Sequence, residues 1–306
     1  MTPAELRAHL AAGALLSFPV TAMDAAGAVD VGRLREHVRH LLDHRPGGLF
    51  VCGGTGEFPA LTFAEWRAAT AAAVAEAAAR VPVLAGAGYG TAVAREYVRA
   101  AEALGCDGVL VLPPYLGEPD QEGLYAHCAA VADGARIGVV VYQRDNAVFS
   151  PDTVAALADL PAIAGFKDGR GDVERLQRIA LLTEGALPLL NGLPTAEMSQ
   201  PALGAAGARS YSSAVFNFVP ELAQRFYAAW RSGDSAGVAD LLRSFYLPFC
   251  ALRDRRRGYA VSLIKAGLEL VGRPCGTVRS PLVPPGEADV AVLRGILERN
   301  GVRVAA

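Results

Sequence analysis

Eight short apolar runs, each separated from the next by a stretch of helical character, constrain this chain more than any other feature. They fall at 15–19, 48–52, 82–86, 108–112, 138–142, 163–167, 188–191 and 208–212. Most are continuously apolar rather than alternating, the pattern of parallel strands buried on both faces. The segments 63–80, 91–104, 122–135 and 151–160 read as helices. Thr62 and Ser150 stand where capping hydroxyls are wanted, and Pro151 suits a first helical position. Strand–helix alternation predicts a parallel sheet. Eight such units in about 220 residues fit a (β/α)8 TIM barrel, whose usual size is about 250 residues. A doubly wound open sheet would need a glycine-rich turn after its first strand, and Pro19-Val20-Thr21-Ala22 is not one. Residues 1–231 are therefore read as an α/β barrel. Residues 232–306 are read as a C-terminal helical extension, with helices at 235–247, 258–271 and 287–299 and a loop at 281–286.

Charge and cysteine usage remove several function classes. Lys and Arg number 29 against 31 Asp and Glu, for a formal charge of −2, which offers nothing to nucleic acid or an anionic membrane surface. No run approaches the roughly 20 apolar residues of a membrane span. The apolar 13–16 stretch lacks the basic flank and cleavage site of a signal peptide. Five scattered cysteines (Cys52, Cys106, Cys128, Cys250 and Cys275) without a CxxC pair argue against disulfides or zinc and for a reducing cytoplasm.

The basic residues are unevenly divided. Only Lys167 and Lys265 are lysines, so 29 − 2 = 27 are arginines. A composition that replaces Lys by Arg wherever either suffices marks the surviving lysines, because an amine forms an imine and a guanidinium does not. Lys167 ends the sixth run, and in a barrel the carboxyl ends of the strands carry the active site. Burial there would lower its pKa and free the amine for attack on a ketone. The plainer reading is a lysine paired for structure with Asp168. Lys265, inside an amphipathic helix, reads as a surface or packing lysine.

Tyr142 ends the fifth run and is either a proton-transfer group or a core tyrosine. Gly53-Gly54-Thr55-Gly56-Glu57 follows the second and offers N–H groups and a hydroxyl to a carboxylate, or is simply a tight turn; no Lys follows, so it is not a P-loop. His37, His40 and His44 have helical spacing, but no further ligand type accompanies them, and the segment reads as a solvated helix face. The run Arg253-Asp254-Arg255-Arg256-Arg257 reads as a solvated surface or a subunit contact. Asp145 and Glu57 could be paired as in glycosidases only if the fold brought them together.

Taken together these residues resemble the dihydrodipicolinate synthase / N-acetylneuraminate lyase family of Schiff-base barrels, over roughly 10–300. The family's G-[GT]-T-G-E loop matches Gly53-Gly54-Thr55-Gly56-Glu57, its strand-five tyrosine matches Tyr142, and its imine-forming lysine matches Lys167 within Gly165-Phe166-Lys167-Asp168. Three departures point away from the synthase itself. Gly54 replaces a threonine, Leu116 replaces the second tyrosine of a pair begun by Tyr115, and Ala147 stands where the synthase keeps an arginine, with Arg144 nearby. The strings 142–146, 191–197 and 211–218 look instead like the branch that dehydrates and decarboxylates a sugar diacid in glucarate and galactarate catabolism.

The resemblance implies Lys167 and Tyr142 as catalytic. It implies Gly54 and Thr55 as holding the carboxylate beside the ketone, with Asn191, Ser212 and Arg144 as further substrate contacts. It implies no metal or organic cofactor, a small sugar acid as the only partner, and a cytoplasmic homotetramer built as a dimer of dimers. An aldolase using the same lysine and a sugar-acid-binding barrel without catalysis are the alternatives.

Overall fold

The computed structural model describes residues 1–114 and 117–305. Eight parallel strands close into one barrel in sequence order: β1 (Leu15–Ser17), β2 (Gly48–Val51), β3 (Val83–Ala87), β4 (Gly108–Val111), β5 (Gly138–Gln143), β6 (Ile163–Asp168), β7 (Leu189–Asn191) and β8 (Ser210–Ser213). Every strand residue is buried, as their continuous apolarity predicts. The barrel and its C-terminal helices are those expected from the sequence. The β1–β8 pairing, with Leu16 opposite Ser212, closes the ring. Between β5 and β6 the register slips at Val139/Val140, after which Tyr142 lies opposite Lys167 and Gln143 opposite Asp168. That slip sets Tyr142 and Lys167 beside one another.

Local chemistry fixes the helix ends. Thr62 and Glu65 form a reciprocal capping box at the start of Phe63–Ala77. That helix stops before residue 80 because Ala78 turns into the left-handed region. Ser150 caps Pro151–Ala158 through the Thr153 amide. An element missing from the sequence reading is the N-terminal helix Pro3–Ala11, opened by a second capping box between Thr2 and Glu5. It sends Leu6 and Leu10, both essentially inaccessible, beneath Gly138 and Gly165 of β5 and β6 and closes the amino end of the barrel. Burial of two leucines contributes roughly 1.5–3 kcal/mol each.

Beyond β8 run the helices Pro220–Ser232, Ser235–Leu241, Leu247–Arg253, Tyr259–Leu270 and Glu287–Arg299, with a π-helical segment at Leu242–Tyr246. The expected break near residue 247 is absent, since the chain continues helically to Arg253. These helices pack against the carboxyl mouth, where residues 258–282 contribute one wall of the cavity described next. Among the described residues no helix is long and apolar enough to cross a membrane.

Candidate active site

A cavity of about 400 Å³ opens at the carboxyl ends of the strands. Lys167 rises into it from β6, 4 % exposed, with Nζ 3.8 Å from the centre of the Tyr142 ring and 4.9 Å from that of Phe18. Burial, aided by the nearby Arg144 cation and opposed by Asp168, lowers its pKa to about 7. The shift brings the unprotonated amine within reach near neutrality. Asp168 is not its salt-bridge partner. Its carboxylate accepts from Gln143 Nε2 at 2.7 Å and from the Arg170 and Gly171 amides. The reading of Lys167 as a lysine tied up by Asp168 therefore has no support in the geometry.

Tyr142 donates its hydroxyl to the Gly192 carbonyl at 3.0 Å. Burial raises its pKa, with Arg144 pulling the other way. Gly192 is needed for space: a Cβ there would lie 2.7 Å from Lys167 Cγ and 2.9 Å from Nζ. Arg144 lines the same cavity and pairs with Asp145 at 3.3 Å.

Gly54 and Thr55 form the opposite rim. Their loop is a tight one: Phe58 N donates to Gly53 O, Thr21 donates to Gly56 O, and Cys52 and Glu57 both sit at positive φ. Gly56 has no room for a Cβ, which would fall 2.8 Å from the Cys52 backbone. Ser212 also faces the cavity, its hydroxyl on the Asn191 carbonyl at 3.3 Å.

Asn191 departs from expectation. It is fully buried, with Nδ2 donating to Ala196 O, Ser199 Oγ and Gln200 Oε1 and Oδ1 accepting from Leu193 N. The side chain has its hydrogen bonds spent on folding the loop after β7, and it is absent from the cavity wall. The side chain shapes that loop in this structure. Tyr115 and Leu116 lie outside the described residues.

Lys265 is a second correction. It is buried, pairing with Glu57 Oε1 at 2.7 Å and donating to Thr277 O at 2.8 Å. Glu57 Oε2 meanwhile accepts from Arg279 N. The glycine-rich loop is thus clamped to the C-terminal segment, and Glu57 is committed elsewhere than to Asp145. The signal was present in the composition, because the argument that singled out Lys167 applies equally to the only other lysine. His37 is a third. It turns inward from the solvated face expected for it, onto Asn217 Oδ1 at 2.8 Å, and burial lowers its pKa to about 4.

Arg253 and Arg279, neither foreseen as site residues, reach the cavity wall. Arg253, from the basic run, donates to Pro194 O and Thr195 Oγ1. Arg279 binds Glu65 in an ion pair at 2.5 Å. With Arg144 and Lys167 they make four basic side chains on the cavity wall, beside the acidic Asp145 and Glu57, and each of the three arginines is paired with a carboxylate.

A closed eight-stranded parallel barrel with a cavity at its carboxyl mouth, together with the relatives that follow, sets the class of the protein as a barrel lyase. The chain belongs to the dihydrodipicolinate synthetase family, whose model matches residues 11–299. A relative from Streptomyces griseus, named probable 5-dehydro-4-deoxyglucarate dehydratase, is 52 % identical over 97 % of this chain and 95 % of its own. One of the same name from a Bradyrhizobium species is 48 % identical over 100 % of this chain and 98 % of its own. The crystal structure of dihydrodipicolinate synthase from Bacillus clausii superposes with a TM-score of 0.89 at 26 % identity, covering 97 % of this chain and all of that one.

Proposed function

We propose that this protein is a decarboxylating 5-dehydro-4-deoxyglucarate dehydratase, converting 5-dehydro-4-deoxy-D-glucarate to 2,5-dioxopentanoate, CO2 and water through a Schiff base on Lys167. The observation that carries the reading is Lys167 itself: a buried amine with its pKa lowered to about 7, against Tyr142, in the cavity at the carboxyl mouth of the barrel. Near-full-length relatives of that name support the substrate. The reading includes glucarate and galactarate catabolism and a cytoplasmic homotetramer.

The unprotonated Lys167 amine attacks the ketone and expels its oxygen as water, giving a protonated imine. The iminium withdraws electrons, so the neighbouring methylene loses a proton and an enamine forms. The enamine expels the β-hydroxyl as water, leaving an iminium conjugated to a carbon–carbon double bond. Cleavage of the distal carboxylate as CO2 sends its bonding pair into that system. The resulting enol takes up protons to become the aldehyde. Hydrolysis of the imine returns one water's oxygen to the ketone and frees Lys167, so the net release is one water and one CO2.

Tyr142, held over the amine by the Gly192 carbonyl, moves the proton during imine formation. Gly54 and Thr55 hold the carboxylate beside the ketone, and Ser212 and Arg144 meet the rest of the substrate. The lysine imine is the electron sink, and no step calls on a metal or organic cofactor.

The test follows CO2 and 2,5-dioxopentanoate together, with borohydride in a parallel sample. Both products and a reduced adduct on Lys167 are expected. Release of pyruvate without CO2 would replace the dehydratase by an aldolase. Tyr142→Phe should slow turnover about 100-fold, within the usual range for a lost proton-transfer group; an unchanged rate removes Tyr142 from the mechanism. The pH dependence follows from Lys167. Its amine must be unprotonated, so kcat/KM should fall about tenfold per pH unit below pH 7. A flat profile between pH 5.5 and 7 would contradict an active amine of that pKa.

A further inference from the structure

The hydrogen bonds of Asn217 have no part in the chemistry above. Asn217 closes the short 3-10 turn Val215–Asn217 that follows β8, and its side chain is inaccessible. Its Oδ1 accepts from Val20 N at 3.0 Å and from His37 Nε2 at 2.8 Å, and its Nδ2 donates to Phe18 O at 2.9 Å and to Ala214 O at 2.8 Å. Two of these bonds hold Phe18-Pro19-Val20, which leaves β1 where its pairing with β2 and β8 has ended at Ser17. Pro19 brings no N–H to that stretch. Asn217 thus does for this segment what the sheet does for the strand.

The segment carries the Phe18 ring. That ring is stacked on Phe50, with centroids 4.7 Å apart and planes at 18°. The Lys167 amine lies over it as well as over the Tyr142 ring. Aromatic faces confine Nζ without the carboxylate contact that would keep it charged.

His37 reaches Asn217 from helix Val31–Asp43. The Asn217 oxygen can only accept, so His37 Nε2 carries the proton and Nδ1 is left as an acceptor. Nδ1 is buried without a partner among the described residues. An unpaired buried acceptor costs stability, and a leucine in its place would not carry that cost. What the imidazole supplies is the second donor that holds the Asn217 oxygen.

We infer that Asn217, held by His37, is a positioning residue that seats the Phe18 ring against the Lys167 amine and so fixes the direction from which the amine meets a ketone. The inference deepens the reading of Lys167 as the nucleophile and rests on it. Two measurements separate its failure from the failure of that reading.

The first needs no substrate. With only two lysines in the chain, protein carrying 13C-lysine gives two ε-methylene signals, and Lys167→Met identifies one of them. Protons above a ring face are shielded. At pH 5, where the Lys167 amine is protonated, its ε-protons should lie upfield of their position in the unfolded protein. Phe18→Leu, Asn217→Leu and His37→Leu should each move them downfield, while His37→Gln, which keeps an N–H donor, should leave them near wild type. His37→Leu decides the matter should Asn217→Leu fail to fold, because it removes only one of the four bonds. A Lys167 signal that stays put in His37→Leu or in Phe18→Leu overturns the inference, whatever the substrate proves to be.

The second is the division between kcat and KM for the sugar acid. Small misplacements of a reacting group cost up to about 100-fold in rate, so His37→Leu should lower kcat about tenfold and leave KM within about twofold. His37→Gln should recover kcat to within about threefold of wild type. A raised KM with unchanged kcat in His37→Leu, or no recovery in His37→Gln, overturns the inference. A wild type that does not turn over the sugar acid refutes the proposed function instead, and the lysine signals then decide whether the ring is seated as inferred.

Discussion

Lys167→Ala should lose at least about 10⁴-fold in kcat, because no other described group offers an amine to the ketone and residues acting as covalent nucleophiles carry losses of that order. The barrel should survive the change. Lys167 is buried with its pKa lowered, so its protonated form costs stability that the unfolded chain does not bear. Between about pH 7 and the model-peptide value of 10.5 the unfolded state binds more protons, and wild-type stability rises with pH across that window. Lys167→Met, which nearly keeps the volume, should therefore melt no lower than wild type at pH 7 while being inactive. Borohydride should trap substrate on wild type and leave both variants unmodified. Activity within tenfold of wild type in Lys167→Ala would remove the imine from the mechanism.

The second large effect is on stability. The Lys265 and Glu57 side chains are only 2 % and 1 % exposed. Removing one partner strands the other charge, at a cost of about 3–5 kcal/mol. Lys265→Met should thus lower the melting temperature on the order of 10 °C, given about 2–4 °C per kcal/mol in larger domains. Glu57→Gln with Lys265→Met should recover most of the loss, since neither charge is then left alone. The same single variant should raise KM, because Glu57 belongs to the loop that presents Gly54 and Thr55. A single variant within 1 kcal/mol of wild type, on the scale where paired surface ions fall, would mean that the pair is wet in solution.

The barrel was legible because its evidence is periodic and local. Eight buried strands each announce themselves by a run of apolar residues, and caps such as Thr62 and Ser150 need only the next turn of chain. Lys167 and Tyr142 were legible for a related reason: both end strands, and strand ends converge in a barrel. The misreadings concern partners far away in sequence. Lys265 was set aside as a surface or packing lysine because the helical pattern around it is amphipathic, and nothing local says that Glu57 will meet it. Asn191 stands at a strand end like Lys167, yet it is spent on Ala196, Ser199 and Gln200. Position alone does not distinguish a side chain that faces the cavity from one that closes the following loop. Glu197 lies within the 191–197 string, whose local pattern does not mark it out. Its burial depends on Ser213 and Tyr246, which the fold brings to it from two other elements.

The clamp between the glycine-rich loop and residues 265–279 also bears on how the protein comes into being. During synthesis all eight strands leave the ribosome before Lys265 and Arg279 do, and domains generally fold as units while the chain is still emerging. The loop after β2 is therefore among the earliest parts of the mouth to be made and among the last to be secured, because Glu57 meets neither Lys265 nor the Arg279 amide until both have emerged.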